Sequence, residues 1–154
     1  MNESAALTKI PTYQAPVVYV TVFYMLLIAW TLISVPLIAS KASGLNPALL
    51  LMIGLFIAYT WYFSLGICYR VKIEDDGNVG LRSYRRTIRI HPRKIEAVEG
   101  PPFPIWLGFI RFRFEGKKTY LFFFRKNTSL QAVFSFIYTV NPKIKFRRYG
   151  KIFG

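Results

Sequence analysis

The chain has 154 residues, of which 53% are hydrophobic and 18% aromatic, and it carries a formal net charge of +14. That length allows one modest domain beside whatever a membrane takes, and an ordinary soluble domain does not combine so greasy a composition with so large a charge. The two properties occupy consecutive segments. Residues 17 to 39 and 42 to 69 hold no charge, whereas from Arg70 onward 19 Lys or Arg face 6 Asp or Glu.

Residues 1 to 16 read as a cytoplasmic N-terminal segment. Met1-Asn2-Glu3-Ser4 lacks the basic start of a cleaved signal peptide, so the apolar run that follows is taken as retained. That run, Val17 to Ala39, supplies the roughly 20 residues a helix needs to cross hydrocarbon, with Pro36 in its last turn. The second run, from Pro47 to about Tyr69, opens on a proline suited to the first helical position. Residues 40 to 46 are too few for anything but a tight turn, so 17–69 is expected to be a transmembrane helical hairpin. Neither span holds an ionisable residue, which argues against an ion or substrate pathway. The turn carries only Lys41, whereas Arg70, Lys72 and a dense basic domain follow the second span. The positive-inside rule then expects both termini on the cytoplasmic side, in a bacterial inner or a photosynthetic membrane. Cys68, the single cysteine, can form neither an internal disulfide nor a paired metal clip. It reads as a small apolar residue, with acylation at the membrane edge as the alternative.

Past Tyr69 the period changes to the alternation of a half-buried strand. Strands are expected at 70–74, 79–84, 87–90, 94–99, 106–114 and 119–124. Asp75-Asp76-Gly77-Asn78 and Glu115-Gly116-Lys117-Lys118 separate hairpin arms. Tyr120-Leu121-Phe122-Phe123-Phe124 is apolar on both faces and so predicts a strand covered twice. Leu130, Val133, Phe134, Ile137 and Tyr138 form one helical stripe, opened by Thr128 and Gln131 in a capping-box spacing and ended by Pro142. Residues 70–140 thus read as a soluble β domain with one C-terminal amphipathic helix. The basic-aromatic tail, 141–154, reads as a strand added to a partner or a peptide lying on the membrane.

The stretch Val79 to Val98, a basic strand followed by Ile90-His91-Pro92-Arg93-Lys94-Ile95-Glu96-Ala97-Val98, resembles the bacterial pleckstrin-homology family of membrane proteins. The organisation, two spans before a basic β domain, is also similar to that of the photosystem I assembly factors of cyanobacteria and plastids. The resemblance implies a pleckstrin-homology-like (PH-like) antiparallel sheet or barrel closed by its helix. It brings no catalytic signature.

Enzymatic signals are poor. His91 is the sole histidine and precedes a proline at a strand end, which suits a structural role. Glu74-Asp75-Asp76 lacks the spread of oxygens that Ca²⁺ requires and reads as a solvated hairpin tip. Nucleophile elbows and phosphate-binding glycine loops are missing from the sequence. The expectation is a non-enzyme without metal or cofactor. Arg82, Arg85, Arg86, Arg89, Arg111 and Arg113 are the candidates for electrostatic contact, with Trp106, Arg147 and Arg148 for partner binding. These cations read as a solvated face, as contacts to anionic lipids, or as contacts to acidic surfaces of other integral membrane subunits; nucleic acid is not expected. Phe103, Ile105, Trp106 and Leu107 read as core, or as a loop that dips into membrane or partner. The preferred function is an accessory subunit or assembly factor of a larger membrane complex; the alternative is a free-standing module that binds anionic lipids.

Overall fold

The computed structural model describes residues 10–44, 46–101, 107–124 and 128–148, and the chain divides into a helical unit, residues 16–66, and a sheet unit formed from the segments on either side of it. In the helical unit, α1 spans Val17–Lys41, a 3-10 turn covers Ala42–Gly44, and α2 spans Pro47–Leu65. Pro36 cannot donate an intrahelical bond, yet α1 runs through it to Lys41. Asn46 caps α2 by accepting the Ala48 N–H at 2.9 Å, and Pro47 follows where a missing N–H costs nothing. At 1.5 Å per residue the helices are about 38 and 28 Å long, against a hydrocarbon core of about 30 Å. Both are long and apolar enough to cross a membrane, and only 6% of the apolar window in each is buried, unlike helices inside a soluble core. Polar contacts join them. Trp61 Nε1 donates to Thr31 Oγ1 at 3.0 Å, and the Tyr24 hydroxyl donates to the Ser64 carbonyl at 2.7 Å.

The second helix stops short of the expected Tyr69. The Gly66 N–H turns back to the Phe63 carbonyl at 2.9 Å, and Cys68 and Tyr69 already belong to a strand. Glycine weakens the helix there, while Ile67 and Cys68 are buried in the sheet unit.

That unit contains β1 (Thr12–Gln14), β2 (Cys68–Ile73), β3 (Val79–Ser83), β4 (Thr87–Ile90) and, after a 3-10 turn at Pro92–Lys94, β5 (Ile95–Glu99). It continues with β6 (Leu107–Phe114), β7 (Lys117–Phe124), α3 (Thr128–Val140) and β8 (Lys145–Arg147). The strand order is β4-β3-β2-β7-β6-β5-β8, with β1 on β2 beside this path. The sheet is mixed and open, which corrects the expected antiparallel sheet or barrel: β2 pairs β7 in parallel through Cys68↔Leu121, and β5 pairs β8 in parallel. The chain returns to β5 only after crossing the sheet as α3, and such a crossover delivers a parallel strand. Two strands come from segments expected to lie outside the sheet. The N-terminal segment supplies β1, whose fully buried Tyr13 donates its hydroxyl to the Phe122 carbonyl at 3.0 Å. The tail supplies β8, so its alternation serves an intramolecular ladder.

The hairpin tips follow from backbone chemistry. Glu115 and Gly116 both have positive φ, +46° and +71°, which is the two-residue type I′ turn. Phe114 therefore opposes Lys117, and Lys117 and Lys118 lie within β7 instead of forming the tip. Leu130, Val133, Phe134 and Ile137 of α3 are buried, whereas Tyr138, the fifth member of the stripe, is exposed. The Phe134 ring meets those of Phe112 and Phe146, so α3 covers the face shared by Phe112, Leu121 and Val98. Asn141 locks the helix end by donating to the Pro92 and Ile95 carbonyls at 3.1 and 2.9 Å. Leu121, Phe122 and Phe123 are all fully buried, so β7 is covered on both faces as its composition predicts.

Candidate functional site

Side chains alternate across a strand, so register decides which cations share a face. Arg82 opposes Arg70 on one side and Thr87 on the other, and Gly80 opposes Lys72 and Arg89. Arg70, Lys72, Arg82 and Arg89 therefore project from the face opposite α3, while Val71, Ile73, Val79 and Leu81 fill the core beneath them. Across the sheet, Arg111 and Arg113 point the same way, since their neighbours Phe112 and Phe114 are buried. Lys145 and Arg147 join them through their pairing with Ala97 and Glu99. The structure thus brings Arg82, Arg89, Arg111, Arg113 and Arg147 to one sheet face, in two clusters separated by the aromatic pair Phe109 and Phe122 on β6 and β7.

The first cluster is held open by like charge. Arg70 and Arg82 are directly opposed, an arrangement that repels. Arg70 turns toward Gln14 of β1, its Nε donating to Gln14 Oε1 at 3.2 Å and its Nη2 reaching the same oxygen. Arg89 pairs with Glu74 at 3.1 Å. The Glu74 carboxylate lies over Gly80, where an added Cβ would meet Oε1 at 2.9 Å. Lys72, Glu74, Asp75, Asp76 and Arg89 line a shallow recess of about 360 Å³.

The second cluster is centred on Glu99, whose side chain is only 8% exposed. Arg111, its register partner on β6, donates from Nε to Glu99 Oε2 at 2.6 Å, and its Nη2 contacts the same oxygen. Arg113 Nη1 stands 3.5 Å and Arg147 Nη1 3.9 Å from Oε1. Three guanidiniums from two strands thus converge on one carboxylate. Sequence reading missed Glu99, because a glutamate ending a short strand looks like any solvated one. The pairing of β5 with both β6 and β8 makes it central.

The other candidates fall elsewhere. Arg85 and Arg86 form the β3–β4 turn, where the Ser83 hydroxyl accepts the Arg86 N–H at 3.0 Å and donates to the Arg86 carbonyl at 2.8 Å. Arg148 lies in the bend after β8 with φ +63°. Trp106, with Phe103 and Ile105, lies outside the described residues.

His91 shapes its own turn, its Nδ1 accepting the Arg93 N–H at 3.3 Å. Asp76 accepts the Asn78 backbone and side-chain N–H at 2.9 and 2.6 Å, and these bonds hold its carboxyl below the ordinary value. Lys94 does the same for Glu115 across 2.7 Å, by hydrogen bond and charge. Burial pushes the Cys68 thiol up, against smaller opposing effects of the Thr119 hydroxyl and the Arg86 charge. Cys68 is fully buried in the sheet, away from any accessible edge. Among the described residues no three His, Cys, Asp or Glu side chains gather as a metal ligand set. No protein-family model, curated protein or solved structure matches this chain, so its function is read from its own residues.

Proposed function

We propose that this protein is a non-enzymatic accessory subunit or assembly factor of a larger membrane complex. Its two apolar helices serve as anchor, and the basic sheet face docks partner subunits on the cytoplasmic side. One observation carries the reading: register gathers Arg70, Lys72, Arg82, Arg89, Arg111, Arg113 and Arg147 on the face opposite α3. Kinship with bacterial PH-like membrane proteins belongs to the same proposal. Successive strands followed by a helix over one face support it, whereas the open sheet and its parallel pairings weigh against a closed barrel. The sidedness rests on the charge asymmetry about the helices. Pairing of β1 with β2, which flank the hairpin, favours both flanks on one side of the bilayer.

The test is extraction of the tagged protein in mild detergent and weighing of the intact particle by native mass spectrometry. The proposal expects a particle much larger than 17.9 kDa with fixed additional subunits, lost when Arg82, Arg89, Arg111 and Arg113 are reversed to Glu. A bare chain or small homo-oligomer carrying only lipid would refute it and favour the second reading, an anionic-lipid-binding module. One observation supports that alternative: Arg70 and Lys72 follow Leu65 by five and seven residues. The chain therefore keeps them within about 18–25 Å of the helix end, where an anionic surface attracts each cation by about 1 kcal/mol.

A further inference from the structure

We propose that Arg113 and Arg147, held beside the Arg111–Glu99 pair, form a receptor for carboxylates on an acidic segment of a partner protein, and that docking of β8 assembles this receptor. The inference rests on the accessory role and specifies where and how such a partner is read.

A guanidinium carries five N–H donors in a planar fork. Glu99 satisfies only part of that capacity in this cluster. Its Oε2 is taken by Arg111, and its Oε1 stands 3.5 Å from Arg113 and 3.9 Å from Arg147, beyond the 2.7–3.2 Å of a good N–H···O bond. Charge has drawn these two forks toward one oxygen without filling them. Their side chains are 39% and 60% exposed, so a ligand reaches them from solvent, while the carboxylate beneath is closed off. Three positive charges face one negative charge, which leaves the cluster an anion receptor.

The fork chemistry narrows the ligand class. Two exposed guanidiniums side by side suit planar carboxylates, which arginine binds with two parallel bonds, and an acidic protein segment presents several of them together. A diffuse bilayer charge needs no such focus.

Half of the receptor comes from a separate part of the chain. β8 is three residues long, tied by the Gly100 N–H to the Arg147 carbonyl at 3.0 Å and by Phe146 against Phe134 and Tyr138. Without β8, Arg147 is absent and one fork remains. The receptor exists only when the tail is docked.

The experiment uses the full chain in neutral maltoside micelles and a fluorescein-labelled octapeptide of alternating Glu and Ser, with the Gln–Ser peptide as control, read by anisotropy. The Glu peptide is expected to bind and the Gln peptide not to. R113Q/R147Q should weaken binding at least tenfold, and R82Q/R89Q less than threefold. Equal losses from both pairs overturn the proposal in favour of unfocused attraction. Absence of Glu-peptide binding, whether or not phosphatidylglycerol vesicles are bound instead, also overturns it. Should R113Q/R147Q unfold, Arg147→Lys keeps the charge without the fork and should still lose affinity several-fold; an unchanged value sinks the idea. Native particles separate this from the accessory role. If R113Q/R147Q retains the wild type's extra subunits undiminished, the receptor fails and the role stands, whereas a wild-type particle with no other subunit refutes the role.

Discussion

Replacing Glu99 by Gln keeps the volume and removes the charge on which three arginines converge. The full cost of breaking a buried ion pair, about 3–5 kcal/mol, does not apply, because the guanidiniums are 36%, 39% and 60% exposed and rehydrate. What is lost is the charged hydrogen bonding of Arg111, about 1.5–3 kcal/mol, less what the amide oxygen retains. The long contacts to Arg113 and Arg147 resemble surface pairs worth about 0–1 kcal/mol each. The net expectation is about 2 kcal/mol, or a fall of roughly 10 °C in the melting of a unit this size. Arg147→Gln should cost less than about 1 kcal/mol. The assay is thermal melting of the full chain in detergent by near-ultraviolet circular dichroism, with hydrogen exchange read at residues 144 to 147. Exchange there should quicken in Glu99→Gln well before the rest of the sheet opens. A melting point within 2 °C of wild type, with β8 exchange unchanged, would refute Glu99 as the charged centre that holds Arg111 and Arg147.

Four further outcomes follow from local geometry. Gly77→Ala and Gly116→Ala force a side chain onto φ of +77° and +71° and should each cost about 1 kcal/mol in urea melts, without new contacts to offset it. Cys68, fully buried with its thiol pushed up, should resist maleimide at pH 8 in the folded protein and react within minutes once unfolded; fast native labelling would contradict the burial. Thr31→Val removes the acceptor of Trp61 Nε1 and should weaken the helical hairpin by about 0.6 kcal/mol, seen as a red shift of tryptophan emission at lower detergent challenge. Asp76 titrates below its unfolded range, so the folded state holds fewer protons between the two values. Its contribution is complete above the unfolded value and vanishes as pH falls through the folded value, so Asp76→Ala should lower the melting point at pH 7 and by progressively less as the solution is acidified.

Local period carried much of this fold. The apolar runs begin their helices at Val17 and Pro47 as read, the α3 stripe buries four of five members, and Asp-Gly and Glu-Gly mark hairpin tips. What escaped depends on partners distant in the chain. β1 has three residues, and its partner on β2 lies beyond both helices; nothing in Thr12-Tyr13-Gln14 alone says strand. β8 borrows its identity from β5, and the bulges at Cys68/Arg70 and Ile95/Ala97 shift the alternation by one residue. That second bulge turns Glu99 to the basic face, so the centre of the arginine cluster was invisible to strict counting. Of the candidate arginines, those within strands were placed by alternation, while Arg85, Arg86 and Arg148 lie in bends whose direction only the backbone reveals.

The β1–β2 ladder also bears on how the molecule is made. Gln14 lies three residues before α1, and Arg70, its ladder partner, five residues after α2. A ribosome releases β1 long before β2, so on the proposed topology the first strand waits while everything between is threaded into the bilayer. A chain that inserted one helix and left the other behind would strand β1 and β2 on opposite sides, and Tyr13 would never reach Phe122. On the proposed topology, the β1–β2 ladder therefore forms only after an even number of crossings.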